Sequence, residues 1–127
     1  MMHTILTSFF TLLFCLLITT ADTSNETRTG YACEGMQVTL YCDLGQAINV
    51  LEASYGYFGP HSCDNEHQET VCYRPVTNVI SYLCQGRVAC TVMVGTRTFE
   101  NPCSQQLFKR LEVQYECKTN SGVASST

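Results

Sequence analysis

The stretch LEVQYEC at residues 111–117 constrains the fold of this chain more than any other stretch. Apolar and polar side chains alternate along it, and the apolar row consists of Leu111, Val113, Tyr115 and Cys117. A period of two residues indicates a strand with one buried face and one solvated face. A similar alternation ends at Cys42, after Val38 and Leu40. Two strands that each carry a cysteine on the inner face predict a β-rich domain framed by disulfides, with a bridge between these strands.

The first 21 residues indicate the compartment in which the protein folds. Residues 5–20 are almost wholly apolar, small residues occupy positions 19–21, and polar sequence follows Ala21. This arrangement is typical of a signal peptide cleaved after Ala21, and the apolar run is short for a membrane span. A retained N-terminal anchor is the alternative. We expect a secreted, extracellular protein with no transmembrane segment in the mature chain.

The cysteine content fits an extracellular domain. Cys15 lies in the signal peptide, which leaves the even set Cys33, Cys42, Cys63, Cys72, Cys84, Cys90, Cys103 and Cys117. An even set in a small secreted domain predicts four disulfides. Zinc binding is the competing interpretation, but the chain has no C-x-x-C pair and the cysteine spacing is irregular. We therefore expect neither a metal nor a cofactor.

Composition narrows the partners. The mature chain keeps the net charge of −4, because every Lys, Arg, Asp and Glu follows Ala21. A mildly acidic domain with scattered arginines is a poor candidate for binding nucleic acid or an anionic membrane. Asn25 begins an Asn-Glu-Thr sequon, so we expect N-glycosylation in a polar leader at 22–31. The small, polar tail at 118–127 is expected to be disordered.

The remaining pattern predicts four strands and a helix in the order ββαββ. Strands are expected at 36–42, 48–57, 88–94 and 111–117, and one face of the second should carry Leu51, Ala53, Tyr55 and Tyr57. Apolar residues at 76, 79, 80, 83 and 84 have helical spacing, and Gly86 suits the helix end. Cys84 and Cys90 flank the turn that follows, where a disulfide can staple it. Hairpin-length links between the elements predict an antiparallel α+β domain.

Four motifs and the cysteine frame resemble one family. The motifs are Ala32-Cys33-Glu34-Gly35, Ala53-Ser54-Tyr55-Gly56-Tyr57, Asn101-Pro102-Cys103, and Lys109-Arg110-Leu111 running into LEVQYEC. From 32 to 117 the chain resembles the galactose/rhamnose-binding lectin domain of the sea-urchin-egg-lectin type, as in fish-egg lectins and latrophilins. The resemblance implies a compact antiparallel β-sandwich with one or two short helices. It also implies the disulfides Cys33–Cys63, Cys42–Cys117, Cys72–Cys103 and Cys84–Cys90.

The resemblance further implies a sugar site drawn from these motifs. Glu34 is the expected carboxylate, which accepts hydrogens from two neighbouring hydroxyls, and Lys109 is the expected cationic donor. Tyr55 is expected near the apolar face of the sugar, Gly56 permits a tight turn there, and Asn101 stands where the family usually has aspartate. Plain structural roles are the alternatives: a solvated charge, a surface lysine, a packed tyrosine and a turn asparagine.

Three departures from the family pattern leave two functions open. Tyr57 stands where the family usually has an arginine that supports the site, and Asn101 replaces the aspartate. The loop from Cys103 to Lys109 is longer than usual, which is expected to displace Lys109. One hypothesis is a lectin for galactose- or rhamnose-like terminal sugars of glycoproteins or glycolipids. The other is a module that binds cell-surface proteins and whose sugar site has decayed. A truncated receptor ectodomain is compatible with either hypothesis.

Enzymatic catalysis is not expected from this sequence. The mature chain has two histidines, His61 and His67, and both lie in a polar stretch between cysteines where solvated side chains are usual. A cysteine–histidine nucleophile pair needs a free thiol, and four disulfides leave none. The residue pattern therefore favours a binding protein.

Overall fold

The described residues are 26–59, 63, 71–104 and 107–119 of a computed structural model. They form the elements β1 (Arg28–Cys33), β2 (Gln37–Tyr41), β3 (Gln46–Tyr57), β4 (Cys72–Pro75), α1 (Thr77–Cys84), β5 (Ala89–Met93) and β6 (Arg110–Thr119). The expected signal peptide, the Asn25 sequon and both histidines of the mature chain lie outside the described residues.

Two antiparallel sheets make up the strand structure. The larger sheet has the order β1-β6-β3-β4, so the LEVQYEC strand lies inside it, paired on both sides. The smaller sheet is the pair β2-β5. Strands from distant parts of the chain are thus joined by antiparallel ladders, with one helix between β4 and β5. The predicted antiparallel α+β class is confirmed.

The core lies between the inner faces of the two sheets. On β6 the buried residues are those of the predicted apolar row, Leu111, Val113, Tyr115 and Cys117. The smaller sheet contributes Val38, Leu40, Cys90 and Val92. Each large apolar side chain buried in this way contributes about 1.5–3 kcal/mol relative to exposure. The alternating sequence pattern therefore identified the face of each strand that stabilises the domain.

Disulfides close the framework around this core. The pairs are Cys33–Cys63, Cys42–Cys117, Cys72–Cys103 and Cys84–Cys90. Cys42–Cys117 ties the end of β2 to β6 and so links the two sheets, as the alternation predicted. Cys84–Cys90 staples the turn between α1 and β5. All four predicted pairings are confirmed.

Two strands are present that the sequence pattern did not predict. β1 begins at Arg28, inside the segment 22–31 that was expected to be a polar leader, and pairs with β6. β4 has four residues and pairs with the end of β3. Both are edge strands of the larger sheet, with mostly exposed or half-buried side chains, so neither shows the apolar alternation that marks a buried strand. β6 also continues to Thr119, into the segment expected to be a disordered tail.

β3 and α1 differ from prediction in two details. The register of β3 against β6 shifts between Val50 and Glu52, which turns Leu51 outward and leaves it 43% exposed. The prediction that Leu51 lies on the inner face was therefore wrong, whereas Ala53 on that face is buried as predicted. A β-bulge of this kind interrupts the period of two without any signal in residue type. α1 begins at Thr77, whose hydroxyl accepts a hydrogen bond from the backbone nitrogen of Ala53 at 3.1 Å.

Candidate functional site

Glu34 follows β1 directly and is held against the residue that precedes β6. Its backbone nitrogen donates to the carbonyl oxygen of Lys109 at 2.8 Å. In return, the backbone nitrogen of Lys109 donates to Glu34 Oε2 at 3.3 Å. The antiparallel pairing of β1 with β6 ends at Cys33 and Arg110, so these two contacts extend the ladder by one step. The sheet itself therefore brings the two motifs together.

Two further donors reach the Glu34 carboxylate from the interior. The hydroxyl of Tyr55 donates to Oε1 at 3.3 Å, and Lys109 Nζ lies 3.4 Å from Oε2. The Glu34 side chain is nevertheless 25% exposed. One side of the carboxylate is thus fixed by protein donors, and the other reaches solvent. We call Glu34, Tyr55 and Lys109 the Glu34 cluster.

Lys109, predicted as the cationic donor of the site, is not the exposed surface lysine of the alternative interpretation. Its side chain is 6% exposed, and Nζ also donates to the carbonyl oxygen of Leu107 at 2.9 Å. A buried ammonium needs both a counter-charge and hydrogen-bond acceptors, and Glu34 and Leu107 supply them. Lys109 lies two residues before Leu111 and so shares the inward phase of the buried row, a signal that its residue type outweighed because lysines are usually solvated. Lys109 therefore acts on the Glu34 carboxylate from inside the domain.

Tyr55 belongs both to the core and to the cluster. It is fully buried on the inner face of β3, with its ring centroid 4.9 Å from that of Phe99. Burial raises the pKa of the Tyr55 hydroxyl above its usual range, and the negative charge and hydrogen bond of Glu34 raise it further. The hydroxyl therefore stays protonated as a donor to Glu34. Phe99 was not predicted as a core residue, because it lies outside the strands in a stretch without periodicity.

Gly56 permits the close approach of β4 to β3. Its φ of +152° is one that side-chain-bearing residues rarely adopt, and a Cβ there would collide with the carbonyl oxygen of Cys72 and the Cα of Tyr73. The sequence-based expectation of a tight turn is replaced by a different geometry, because Gly56 pairs within the sheet with Tyr73 on one side and Arg110 on the other. Gly56 adjoins Tyr55 and so fixes the backbone beside the cluster.

Asn101 is placed apart from the contacts of the Glu34 cluster. Its side chain is exposed, and Oδ1 accepts a hydrogen bond from the backbone nitrogen of Cys103 at 3.0 Å. Within the described ranges, no hydrogen bond or ion pair joins Asn101 to Glu34, Tyr55 or Lys109. Asn101 Oδ1 is thus used in a local turn, which is the structural role considered as the alternative in the sequence analysis. Of the predicted residues, the structure brings together Glu34, Tyr55 and Lys109.

Tyr57, the residue in place of the family's arginine, points into the interior. It is fully buried and packs with Cys103, Leu107 and the half-buried Cys72. This small second core lies under the chain that leads to Lys109. Tyr57 therefore supports the Leu107 carbonyl region by packing, whereas an arginine would place charge there.

The chemistry available at the Glu34 cluster is hydrogen bonding. An ionised carboxylate accepts hydrogens and cannot donate them, so its exposed side suits ligand hydroxyls or amides. In the part of the chain that the structure describes, no group of three or more His, Cys, Asp or Glu side chains is arranged to hold a metal ion. No helix among those residues is long and apolar enough to span a membrane.

Comparisons with known proteins relate this geometry to a family. The family model described as the D-galactoside/L-rhamnose binding SUEL lectin domain matches residues 40–117. Latrophilin Cirl of Drosophila ananassae is 33% identical over 104 residues, which cover 79% of this chain and 6% of that protein. Adhesion G protein-coupled receptor L1 of Homo sapiens is 37% identical over 94 residues, which cover 71% of this chain and 6% of that protein. The chain thus matches a small part of these much longer relatives.

Proposed function

Because the chain belongs to the D-galactoside/L-rhamnose binding SUEL lectin family, we propose that it is an extracellular carbohydrate-binding protein whose sugar site is centred on Glu34. The proposed ligands are galactose- or rhamnose-like terminal sugars of glycoproteins or glycolipids. Glu34 precedes the matched residues 40–117, so its role is argued from its own contacts.

The observation that carries the proposal is the half-enclosed carboxylate of Glu34. Two hydrogen-bond donors, the Tyr55 hydroxyl and the Lys109 backbone nitrogen, hold it from the protein side together with the Lys109 ammonium, while the side chain keeps 25% of its surface exposed. A carboxylate held in one orientation loses little conformational freedom when a ligand binds. Two neighbouring hydroxyls of a pyranose ring can donate to its open side in a bidentate arrangement. An immobilised acceptor of this kind is what recognition of a vicinal diol requires.

Lys109 and Tyr55 are proposed as positioning residues. Lys109 Nζ donates to the carbonyl oxygen of Leu107 and is ion-paired with Glu34, and its side chain is almost fully enclosed. Its ammonium lies 3.4 Å from Glu34 Oε2 and so supplies the counter-charge of this carboxylate at the edge of the core. Tyr55 fixes the second carboxylate oxygen through its protonated hydroxyl. Direct contact with the sugar is therefore assigned first to Glu34.

Gly56 and Asn101 are given secondary roles in this proposal. Gly56 sets the backbone next to Tyr55 and offers no side chain to a ligand. Asn101 uses its amide oxygen on Cys103, so any contact with a sugar hydroxyl would come from its amide nitrogen as donor. An aspartate at this position would have offered a second acceptor. The replacement thus favours ligands that accept a hydrogen bond there.

The apparent affinity for sugar is expected to depend on how many copies of the site and of the sugar are held together. A shallow site that contacts one sugar residue binds weakly, and linking several copies raises the apparent affinity by about 10²–10⁴ without new contacts. The chain matches one lectin domain, over residues 40–117. Clustered sugars on a cell surface, or association of several copies, would raise the apparent affinity of this domain.

A glycan array probed with the oxidised protein in multivalent form tests the proposal. The expected result is binding to terminal galactose or rhamnose that free D-galactose or L-rhamnose competes away. The fucose and mannose glycans of the same array serve as internal controls. A blank array from protein whose four disulfides are verified by mass spectrometry would contradict the lectin proposal.

A protein-binding module is the second candidate, and one observation favours it. The deep burial of Lys109 and the replacement of the family's arginine by Tyr57 leave Glu34 with fewer cationic neighbours facing solvent than the family pattern implies. In that case a cell-surface protein is the partner, and its binding would persist after enzymatic removal of its glycans. Binding that is lost on deglycosylation returns the assignment to a lectin.

A further inference from the structure

The outward face of the larger sheet carries a groove that the sugar proposal does not use. It has a volume of about 480 Å³, and its lining includes Glu52, Ser54, Phe58, Tyr73, Glu112 and Gln114. We call it the outer-sheet groove. Its floor is the paired backbone of β3 and β6, where Ser54 lies opposite Glu112 and Glu52 lies opposite Gln114.

The groove and the Glu34 cluster lie on opposite faces of the sheet. Ala53 and Tyr55 of β3 are fully buried on the core side, so Ser54 between them projects outward. On β6, Leu111 and Val113 are fully buried, and Glu112 between them projects outward in the same way. The Tyr55 hydroxyl that reaches Glu34 therefore belongs to the face opposite the groove.

One wall of the groove is aromatic and is fixed by stacking. The rings of Phe58 and Tyr73 lie 4.9 Å apart with an interplanar angle of 16°. The guanidinium of Arg110 lies 5.0 Å from the centre of the Phe58 ring and forms an ion pair with Glu112. Tyr73 itself remains 53% exposed. An exposed aromatic side chain with its ring already ordered offers contact area at a low entropic cost.

The charge of the lining is negative. The lining contains two acidic residues, Glu52 and Glu112, and no lysine or arginine. Glu112 forms an ion pair with Arg110, which partly neutralises its charge. Among the described residues, no hydrogen bond or ion pair involves the side chain of Glu52, which is exposed at the rim. An acceptor of this kind beside an ordered aromatic wall matches a long side chain that carries a positive head.

We propose that the outer-sheet groove binds a basic side chain, lysine or arginine, from an extended segment of a partner protein. The aliphatic stem lies along Phe58 and Tyr73, where it is shielded from water. The cationic head reaches Glu52 and contacts the free side of Glu112, and the amide of Gln114 accepts a further hydrogen bond. The domain then has two binding faces, so a sugar and a protein partner can be bound at the same time.

Titration of the ¹⁵N-labelled full chain, with its four disulfides formed, tests this proposal directly. The probe is the peptide acetyl-Gly-Arg-Gly-amide, and the matched probe carries citrulline, which keeps the shape of arginine and removes its charge. The arginine peptide is expected to shift the backbone amide signals of Glu52, Ser54, Tyr73 and Gln114, with the amide of Glu34 unmoved. Added salt is expected to weaken the effect, because the contact is an exposed charge pair.

Two variants complete the test. Glu52→Gln is expected to weaken arginine-peptide binding roughly threefold, the size expected for an exposed pair. The control Glu26→Gln removes the same charge from an exposed glutamate outside the groove and should leave binding unchanged. Equal shifts with the citrulline peptide, unmoved groove signals, or an unaltered affinity in Glu52→Gln would each overturn the proposal. So would D-galactose or L-rhamnose shifting the groove signals in place of the peptide, since the groove would then be a sugar site.

Discussion

The ladder between β3 and β6 has two ends that are built differently. At the disulfide end, formed by Cys42, Ile48 and Cys117, apolar side chains and a covalent bridge fill the space between the sheets. At the other end, the Glu34 cluster places a carboxylate, an ammonium and a phenol hydroxyl at the margin of the core. The disulfide end uses apolar contacts, and the other, which we call the polar end, buries Tyr55 and Lys109 around a carboxylate that stays 25% exposed.

The two ends differ in how much they stabilise the folded domain. Apolar burial and a bridge that closes a long loop both stabilise the fold directly. A buried ion pair stabilises far less, because removing its two charges from water costs much of what their attraction returns. Stability alone therefore does not account for the Glu34 cluster. An ordered acceptor that faces solvent is instead suited to binding a ligand. Substitutions at each end separately test this difference.

The largest effect is expected from removing the bridge at the disulfide end. The double variant Cys42→Ala/Cys117→Ala opens a loop with a sequence separation of 75. It should lower the free energy of unfolding by roughly 4 kcal/mol, because the unfolded chain gains entropy. The matched variant Cys84→Ala/Cys90→Ala opens a separation of 6 and should lose roughly 2 kcal/mol. Urea unfolding measures both, and equal losses would contradict the dominance of the disulfide end.

The next effect concerns the backbone beside the Glu34 cluster. In Gly56→Ala the new Cβ meets the carbonyl oxygen of Cys72 and the Cα of Tyr73, so β4 must move away. We expect a loss of about 3 kcal/mol in the free energy of unfolding. Gly45→Ala is the control, because its φ of +87° is also unfavourable but nothing lies within 4 Å of the added Cβ. That control should lose about 1 kcal/mol, and an equally tolerant Gly56 would show that the close approach of β4 has no importance.

Lys109→Met tests the polar end itself. The variant leaves the carbonyl oxygen of Leu107 and the Glu34 carboxylate without the ammonium, and we expect a loss of about 2 kcal/mol in thermal or urea unfolding. Lys118→Met provides the control, at an exposed lysine near the far end of β6. The Lys118 side chain is 55% exposed and pairs with Glu116 at 3.4 Å, so its loss should cost under about 0.5 kcal/mol. A Lys109 variant as stable as the control would mean that the cluster is not held together by its charge.

The smallest effect is expected from Tyr55→Phe, and it depends on pH. Losing the hydrogen bond to Glu34 should cost about 1 kcal/mol near neutral pH. The pKa of Tyr55 is raised in the folded protein, so above its ordinary value of 10.0 the unfolded chain releases this proton first. The stability contributed by the hydroxyl is therefore complete below that pH and declines above it.

Unfolding of the wild type and of Tyr55→Phe through this alkaline range measures the dependence. The wild type should lose its advantage over the variant as the pH rises beyond about 10. A difference in stability that stays constant through the range would show that Tyr55 does not keep its proton for Glu34.

The two ends also differ in how far the sequence predicted them. Alternation on both sides of the core identified the strands that carry Cys42 and Cys117, and this part of the structure follows the prediction. The edge strands β1 and β4 were missed, because an edge strand with exposed side chains has no apolar period. The outward turn of Leu51 was missed as well, since a bulge changes the register without changing composition.

At the polar end, the sequence motifs identified candidate site residues but did not predict which of them are buried or in contact. Family resemblance brought Glu34, Tyr55 and Lys109 together as candidates, and they are in contact. The burial of Lys109 was not predicted, although Lys109 lies two residues before Leu111 and so is in phase with the buried row, because a lysine at such a position is usually solvated. Asn101 was grouped with them by motif alone, while its oxygen is used in a local turn with Cys103.

Sugar binding by the variant Glu34→Gln shows whether the Glu34 carboxylate is the centre of the site. This variant keeps the shape of the side chain and replaces an acceptor oxygen by a donor, and the exposed Glu26→Gln is its matched control. Isothermal titration with the sugar found on the array, alongside urea unfolding, separates loss of the site from loss of the fold. We predict that Glu34→Gln stays folded and loses at least about tenfold in affinity, the result of losing a charge-assisted hydrogen-bond pair, while the control binds as the wild type does. A folded Glu34→Gln variant with unchanged affinity would contradict the claim that Glu34 is the centre of the sugar site.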